Sequence, residues 1–420
     1  MEINEQRVQD KTSLATWIVF LITLVVVVIS LVPVIFPALI LRALGGFEDH
    51  LGVNPFETGI WTYPFLFINL ILLGLGILSL KNLLPQPITK FVRFVFNFEV
   101  SAQVAFIVIT ILIGLYITFS VGELFNGKFD PDYYTIVKSW LENFNITNLH
   151  DPDPAHDIGH YLGIELEVIS MQIFGNYKVI PFIASIALLV LTYYTTVEIS
   201  KKRFAGIVSM VIVLQSGIFL MYDTSVAYPN FWILFYLLSL YLICKKWPLS
   251  SVSYVSAVLS KGLAAMFLPA SLFFAYRTHV SKQKKIQIVI SYGIIIALGI
   301  AFLTITGTSL NPVEKKEFNF HDFWAGFTAF YSSLRLDGLA LLFLLPLTVG
   351  LFTASGKGHV HADSILFLIL VMLLSAPLLS AFSDNQNVPY RFVPFIIFFA
   401  LGSGIILSKR SVNGPNYFPR

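Results

Sequence analysis

Two aspartates, Asp130 and Asp132, follow a long apolar segment by only a few residues, within the sequence FDPDYY at 129–134. Carboxylates in this position could accept the proton of an attacking group as a general base, or hold a divalent cation such as Mg²⁺ or Mn²⁺ against phosphate oxygens. An Asp-Pro pair is also typical of a helix start, because Asp caps the first turn and Pro fits it. The sequence is compatible both with a catalytic role and with a helix-capping role for these aspartates.

A third carboxylate, Asp223, follows another apolar segment within the sequence MYDT at 221–224. If both segments end at the same membrane surface, Asp223 lies level with Asp130 and Asp132. Carboxylates at one depth would suit acid and base roles or a shared metal ion. The alternative is an interfacial Asp that caps the next helix.

Two histidines, His156 and His160, are four residues apart and flank Asp157. On a helix, positions four apart share a face, so these side chains are candidates for a substrate or metal site. A structural zinc ion usually needs four protein ligands, and fewer are evident here. Surface histidines are therefore the preferred interpretation, and the metal requirement stays undetermined.

Lys261 and Arg391 place cations at or within apolar stretches, and Lys178 directly precedes one. A cation inside hydrocarbon costs roughly 2.5–3.5 kcal/mol on insertion scales, so it usually has a partner or a function. Cations gathered at one membrane surface could neutralise a phosphate or pyrophosphate and stabilise it as a leaving group. For Arg391 and Lys178, the alternative is a side chain that reaches out to the interface.

The elements that position these residues must be membrane helices. Of the 420 residues, 56% are hydrophobic and only 12% are charged, a composition too apolar for a water-soluble globule. The net charge of +3 is too small to indicate nucleic acid, and the basic residues lie in short clusters between apolar runs. The single cysteine, Cys244, excludes an intramolecular disulfide and a thiolate metal site.

An all-α polytopic bundle is predicted, because an open sheet edge would leave unsatisfied backbone groups in lipid. The first apolar segment is too long for the core of a signal peptide, so we expect it to be retained. Residues 1–100 are predicted to form an N-terminal helix pair, 101–410 a membrane module and 411–420 a cytoplasmic tail. Hydropathy predicts membrane segments at 14–40, 60–80, 102–121, 179–198, 204–221, 229–243, 286–305, 338–352, 364–382 and 392–407.

The stretch 251–276 is long enough for one helix, but Ser260-Lys261-Gly262 lies in its middle. Four basic clusters decide its form, because the positive-inside rule requires all of them on the cytoplasmic side. A single crossing would put the last cluster outside, whereas a hairpin of two short helices keeps it inside. The hairpin gives about twelve membrane segments with both termini cytoplasmic. The clusters are Lys81 with Lys90 and Arg93, then 201–203, 245–246 and 282–285.

With this topology, the long loop 122–177 faces outward. It carries five aspartates against two lysines in its first forty residues, which agrees with that side. Apolar residues at helical spacing predict surface helices at 133–144 and 160–174. A structured loop of this length is a candidate for function.

Five short motifs occur in a fixed order along residues 100–410. They are the acidic motif at 130–134, the segment 156–178 that ends in QIFGNYK, FLMYD at 219–223, LSKG at 259–262 with its following Leu-Pro, and PYRFVP at 389–394. Together they resemble the GT-C superfamily of polytopic glycosyltransferases, which includes protein O-mannosyltransferases and aminoarabinose transferases. The chain departs from the family pattern at Pro131, which interrupts the acidic pair, and at Lys178, where Arg is usual.

The resemblance implies a mannosyltransferase-like enzyme that moves a sugar from a polyprenyl- or dolichyl-phosphate carrier to a protein or lipid-linked glycan. It implies that Lys261 and Arg391, with Lys178, hold the donor phosphate. Asp130 or Asp132 would deprotonate the acceptor, Asp223 would assist, and the reaction would invert the anomeric carbon. We expect the site to be extracytoplasmic in a prokaryotic cell membrane, or lumenal in the endoplasmic reticulum of a eukaryote.

Two other classes of function remain open. A secondary transporter or lipid flippase would also use broken helices and intramembrane cations. Transporters usually have two related halves with charges near the midplane, whereas no internal repeat is evident here and the candidate charges lie at the outer edge. A non-catalytic subunit that presents its acidic loop to a partner is the third interpretation.

Overall fold

The structure of the chain is a computed structural model, which describes most of its 420 residues. Asp130, Asp132, His156 and His160 lie outside the described residues, as does the predicted surface helix at 133–144. In the part of the chain that is described, every regular element is helical, which confirms the all-α prediction at that level. The described residues are 13–37, 54, 56–125, 161–226, 229–306, 317–382 and 389–408.

The first four helices form the N-terminal part of the bundle. Ser13 caps the first of them by accepting a hydrogen bond from the Thr16 amide at 3.2 Å. The hydroxyl of Thr62 donates to the Ile35 carbonyl at 3.0 Å, so the end of the first helix adjoins the start of the second. These helices are α1 (Leu14–Ile35), α2 (Thr62–Leu80), α3 (Gln86–Asn97) and α4 (Ala102–Ser120), and a 3₁₀ turn at Val121–Phe125 follows α4.

The middle of the chain forms five helices. A helix is present at Tyr161–Phe174, close to the bounds predicted from the sequence, and its place on a membrane surface stays a prediction. The apolar segment predicted at 204–221 is divided in two, because the backbone leaves the helix at Gln215 and Ser216 caps a new one. These helices are α5 (Tyr161–Phe174), α6 (Val179–Ser200), α7 (Arg203–Leu214), α8 (Gly217–Tyr222) and α9 (Phe231–Lys245).

The stretch predicted as a hairpin, in the third part of the chain, is divided at Lys261 into short helical segments, as the prediction requires. Lys261 has an extended backbone with φ of −162°, and it separates a short helix from a 3₁₀ segment at Gly262–Phe267. The hairpin is formed by α10 (Ser250–Ser260) and α11 (Leu268–Arg277). It is followed by α12 (Lys282–Thr306), α13 (Phe320–Leu334), α14 (Gly338–Gly356), α15 (Ala362–Phe382) and α16 (Val393–Ile406).

Seven helices in the described residues are long and apolar enough to cross a bilayer, namely α1, α2, α4, α6, α12, α14 and α15. The shorter apolar helices α7, α9, α11 and α16 accompany them. This arrangement fits a multi-pass membrane protein. The count of about twelve segments and the side of the membrane stay predictions.

Basic residues that follow α6 and end α9 lie at one end of the bundle, which we call the basic end. There Glu198 pairs with Lys201 at 2.7 Å and with Lys245 at 2.6 Å. The ammonium group of Lys202 donates to the carbonyls of Val95 and Phe96 in α3 at 3.1 and 2.9 Å. Basic residues that follow α6 and end α9 are therefore near neighbours, as the charge pattern predicted.

The core of the bundle is formed by α15 and α16, whose apolar side chains are buried on several faces. Helix α13 crosses α15 closely at Gly326. A methyl group there would lie 2.3 Å from the Pro377 Cα atom, so only glycine fits this crossing. The opposite end of the bundle from the basic end carries Asp223, and we call it the Asp223 end.

Candidate functional site

Asp223 lies where four helices meet. It follows the last residue of α8 and is 1% exposed. The hydroxyl of Ser120, at the end of α4, donates to Asp223 Oδ2 at 2.9 Å. The hydroxyl of Ser185 in α6 donates to the Asp223 carbonyl at 2.7 Å, and Asn230, before α9, donates to Ser185 at 3.1 Å. Short polar side chains thus fix this carboxyl group between apolar helices.

The carboxyl group of Asp223 is able to hold or release a proton near neutral pH. Burial raises its pKa to about 7, and the negative charge of Glu123 acts in the same direction. The hydroxyls of Tyr116 and Ser120 oppose the shift. Among the described residues, Asp223 Oδ1 and the Tyr116 hydroxyl have no hydrogen-bond partner of good geometry. The Tyr116 hydroxyl is therefore the nearby group that can donate to this carboxyl group.

The two stems of the loop 122–177 meet beside Asp223. The hydroxyl of Thr224 donates to Glu123 Oε2 at 2.9 Å. The side-chain amide of Asn176 donates to the Leu124 carbonyl at 2.8 Å. The segments on either side of the acidic loop are therefore both fixed at the Asp223 end.

Lys261 and Arg391 share one aromatic ring. The ammonium group of Lys261 lies 4.1 Å from the centre of the Tyr390 ring, and the guanidinium carbon of Arg391 lies 5.8 Å from it. Arg391 Nε also donates to the Tyr390 hydroxyl at 3.3 Å. Tyr390 itself is only 7% exposed. Lys261 lies at the break between α10 and the 3₁₀ segment, which we call the hinge, and Arg391 lies just before α16. Both cations are therefore held beside the same ring.

Tyr222 joins this cationic group to Asp223. Its ring is 5.9 Å from the Tyr390 ring, at an interplanar angle of 69°, and Asp223 is the next residue in the chain. The predicted site residues Asp223, Lys261 and Arg391 are therefore connected through the Tyr222 and Tyr390 rings, although 168 positions separate the first from the last. We call Tyr222, Asp223, Lys261, Tyr390 and Arg391 the Tyr390 cluster.

Lys178 lies at the same end of the bundle but within a different element. It directly precedes α6, and its backbone amide donates to Asn176 Oδ1 at 2.9 Å. Ser185, which holds the Asp223 carbonyl, is two helical turns further along α6. The structure thus places Lys178 beside the loop stem, at the end where the Tyr390 cluster lies.

The Tyr390 cluster has spare capacity to bind an anion. In the described part of the chain, Arg391 Nη1 is buried and has no hydrogen-bond partner. Lys261 and Arg391 place two positive charges beside this donor. A buried donor without a partner costs about 1–3 kcal/mol, and a phosphate oxygen would satisfy it.

The sequence reasoning missed Glu167. This carboxyl group is 2% exposed, on the face of α5 that also carries Gly163 and Ser170. A Cβ atom at Gly163 would lie 3.7 Å from the Ser260 carbonyl, so this face of α5 packs beside the hinge at Lys261. The sequence does contain a signal for Glu167, because small and polar residues at helical spacing predict a helix face that packs against protein.

Asp337 was also missed, and it determines where α8 begins. Its carboxylate accepts hydrogen bonds from the Ser216 hydroxyl at 2.9 Å and from the amides of Gly217 and Ile218 at 3.0 and 3.3 Å. Burial raises the pKa of Asp337, while these hydrogen bonds oppose the shift. Asp337 thus fixes the short helix that ends in Tyr222 and Asp223.

Metal ligands are sparse in the described residues, where no group of three or more His, Cys, Asp or Glu side chains could hold an ion. The acidic residues proposed for a metal from the sequence, Asp130 and Asp132, are not among those residues. Comparisons of the chain with protein-family models, with curated proteins and with solved structures give no significant match. The resemblance to the GT-C superfamily thus rests on the sequence motifs.

Proposed function

We propose that this chain is a membrane glycosyltransferase that moves a sugar from a polyprenyl- or dolichyl-phosphate carrier to a protein or lipid-linked glycan acceptor. The observation that carries the proposal is the convergence of Lys261 and Arg391 on Tyr390, next to Tyr222 and Asp223. A phosphate that emerges from a bilayer needs cations held at the edge of the hydrocarbon, and this cluster has them at one end of an apolar bundle.

The donor phosphate would bind to Lys261 and Arg391. The Arg391 guanidinium has an unused buried N–H group in the described structure, and guanidinium groups match two phosphate oxygens at once. The surrounding helices exclude water, so each charged hydrogen bond stabilises the leaving phosphate more strongly than it would in solution. The polyprenyl chain would remain in lipid beside the exposed apolar helices.

The reaction would be a single displacement. An acceptor hydroxyl loses its proton to an aspartate, and its oxygen forms a new bond to the anomeric carbon. The bond from that carbon to the phosphate oxygen breaks, and the carrier phosphate leaves with the electron pair. Asp130 or Asp132 would take the proton, in keeping with their place directly after α4 in the sequence. Asp223 would position the acceptor.

A transporter remains the second candidate, because α10 and α11 form a broken hairpin of the kind that also binds solutes. The two functions predict different fates for the lipid-linked sugar. A transporter of lipid-linked sugars would bind the donor and return it unchanged. A transferase would release the carrier phosphate.

The test uses purified protein in nanodiscs, with polyprenyl-phosphate sugars as donors, extracted membrane proteins and glycolipids as acceptors, and release of polyprenyl phosphate as the readout. Asp130→Asn and Asp132→Asn are made singly and together, and Lys282→Met at the basic end is the matched control. We expect loss of release in at least one aspartate variant while the protein remains folded. Full activity in both single variants and in the double variant would remove the catalytic assignment.

A further inference from the structure

Helix α3 differs from the other helices because its two faces have opposite character. Its polar residues recur at helical spacing on one face, at Gln86, Lys90, Arg93 and Asn97. The apolar residues Ile88, Phe91, Val92 and Val95 occupy the opposite face. A segregation this complete is typical of a helix that lies in the plane of a membrane surface.

No residue of α3 is buried, and its aromatic side chains are open. Phe91 is 67% exposed and Phe94 is 61% exposed. Large apolar side chains exposed together on one short helix mark an interaction surface. The occupant of this surface must therefore be apolar on one side and compatible with cations on the other.

The position of α3 in the fold identifies that occupant as lipid. The helices before and after it, α2 and α4, are both candidate membrane spans, and only 11% and 17% of their apolar windows are buried. Lipid must therefore surround the helices from which α3 emerges. α3 also lies at the basic end, where cations would face the headgroups of one leaflet.

The C-terminal end of α3 is fixed to the rest of the bundle. Lys202 is 1% exposed and donates to the last carbonyls of α3, which is a favourable place for a cation. The Arg203 amide donates to Glu99 Oε1 at 3.0 Å, and the Phe98 and Phe204 rings are 4.9 Å apart. These contacts hold α3 against the start of α7.

We propose that α3 is an interfacial helix that binds the bilayer leaflet at the basic end. Its phenylalanines insert among the acyl chains, and its polar face, which carries Lys90 and Arg93, binds anionic phospholipid headgroups. The proposal is independent of sugar transfer, since the Tyr390 cluster lies at the other end of the bundle.

The insertion is tested with two adjacent positions on opposite faces. In a Cys244→Ser background, Phe91→Cys and Lys90→Cys are each labelled with bimane and placed in nanodiscs that contain brominated phosphatidylcholine. We expect quenching of the label at position 91 to exceed that at position 90 several-fold. Equal quenching at both positions would overturn the assigned orientation of the helix, and no quenching at either would overturn its contact with lipid and indicate that a protein partner covers this face.

The headgroup preference is tested by native mass spectrometry in mixed phosphatidylcholine and phosphatidylglycerol. We expect the double variant Lys90→Gln with Arg93→Gln to bind phosphatidylglycerol roughly tenfold more weakly. The control replaces Lys282 and Lys284, two exposed lysines at the start of α12, and should change the affinity less. Unchanged phosphatidylglycerol retention in the α3 variant would contradict the assignment of its polar face to anionic lipid.

Discussion

The ammonium group of Lys261 lies 4.1 Å from the centre of the Tyr390 ring, although the two residues belong to different membrane elements. A cation over an aromatic face gains about 0.5–2 kcal/mol, more where water is excluded. The contact uses the face of the ring, so Lys261 and Arg391 are both held beside the same aromatic side chain. Tyr390 therefore orients this cation without neutralising it.

Replacement of Lys261 should weaken binding of the carrier phosphate. Hydrogen bonds to charged groups contribute about 1.5–3 kcal/mol, so Lys261→Met should raise the Kd for polyprenyl phosphate roughly 10- to 100-fold. Tyr390→Phe keeps the ring and should have a smaller effect than Tyr390→Leu. Binding can be measured by lipid titration of the purified protein, with Lys282→Met as the control. An unchanged Kd in Lys261→Met would exclude Lys261 from the phosphate site.

Protein stability should depend on pH through Asp223. Its pKa is raised by burial to about 7, above the ordinary value of 3.8, so the folded state favours the neutral acid. Stability from this group is thus complete below about pH 4 and decreases as pH rises towards 7. Asp223→Asn should flatten this part of the profile, which thermal unfolding in detergent can measure between pH 4 and 8. An identical pH profile in Asp223→Asn would contradict the assignment.

Asp337 should act on the site through the position of α8. Asp337→Ala removes the acceptor of three hydrogen bonds and should destabilise the protein by about 0.5–2 kcal/mol, the usual cost of losing a helix cap. Asp337→Asn keeps one acceptor oxygen and should lose less. Thermal unfolding gives the stability, and the Kd for polyprenyl phosphate reports on Tyr222 and the cluster. A stability equal to wild type in Asp337→Ala would show that Ser216 alone caps α8.

Charge was the most informative feature of the sequence for the fold. The positive-inside rule predicted the hairpin around Lys261, and the structure has short helices on both sides of that residue. The same counting treated Lys90 and Arg93 only as flanks of a loop and overlooked the amphipathic helix α3. The break at Ser216 was not predictable from local hydropathy, because its cause is Asp337, 121 residues away.

Residue type was the most informative feature for the site. Asp223, Lys261 and Arg391 were selected because a charge in apolar surroundings usually has a partner or a function, and the Tyr222 and Tyr390 rings connect them in the structure. The rings that join them, Tyr222 and Tyr390, had no signal of their own, since aromatic residues are common wherever a chain faces lipid or packs in a core. The sequence alone identifies the charged residues, but it does not show that an aromatic ring lies between them.

A buried ion pair at the basic end should respond asymmetrically to mutation. Asp363 is fully buried in the first turn of α15, and its carboxylate accepts from Arg277 Nε at 2.9 Å and from the Thr16 hydroxyl at 2.9 Å. The Arg277 side chain is 25% exposed, so without its partner it can still reach water. Loss of Arg277 leaves a negative charge buried without a partner, whereas loss of the Asp363 charge leaves a cation that can reach water.

Arg277→Met should therefore destabilise the protein by about 3–5 kcal/mol, and Asp363→Asn by less. The double variant should be more stable than Arg277→Met alone, because it removes the uncompensated charge. Thermal unfolding of the four proteins in the same detergent gives the coupling energy directly. Equal losses in the two single variants that simply add in the double variant would mean that the two side chains do not depend on each other.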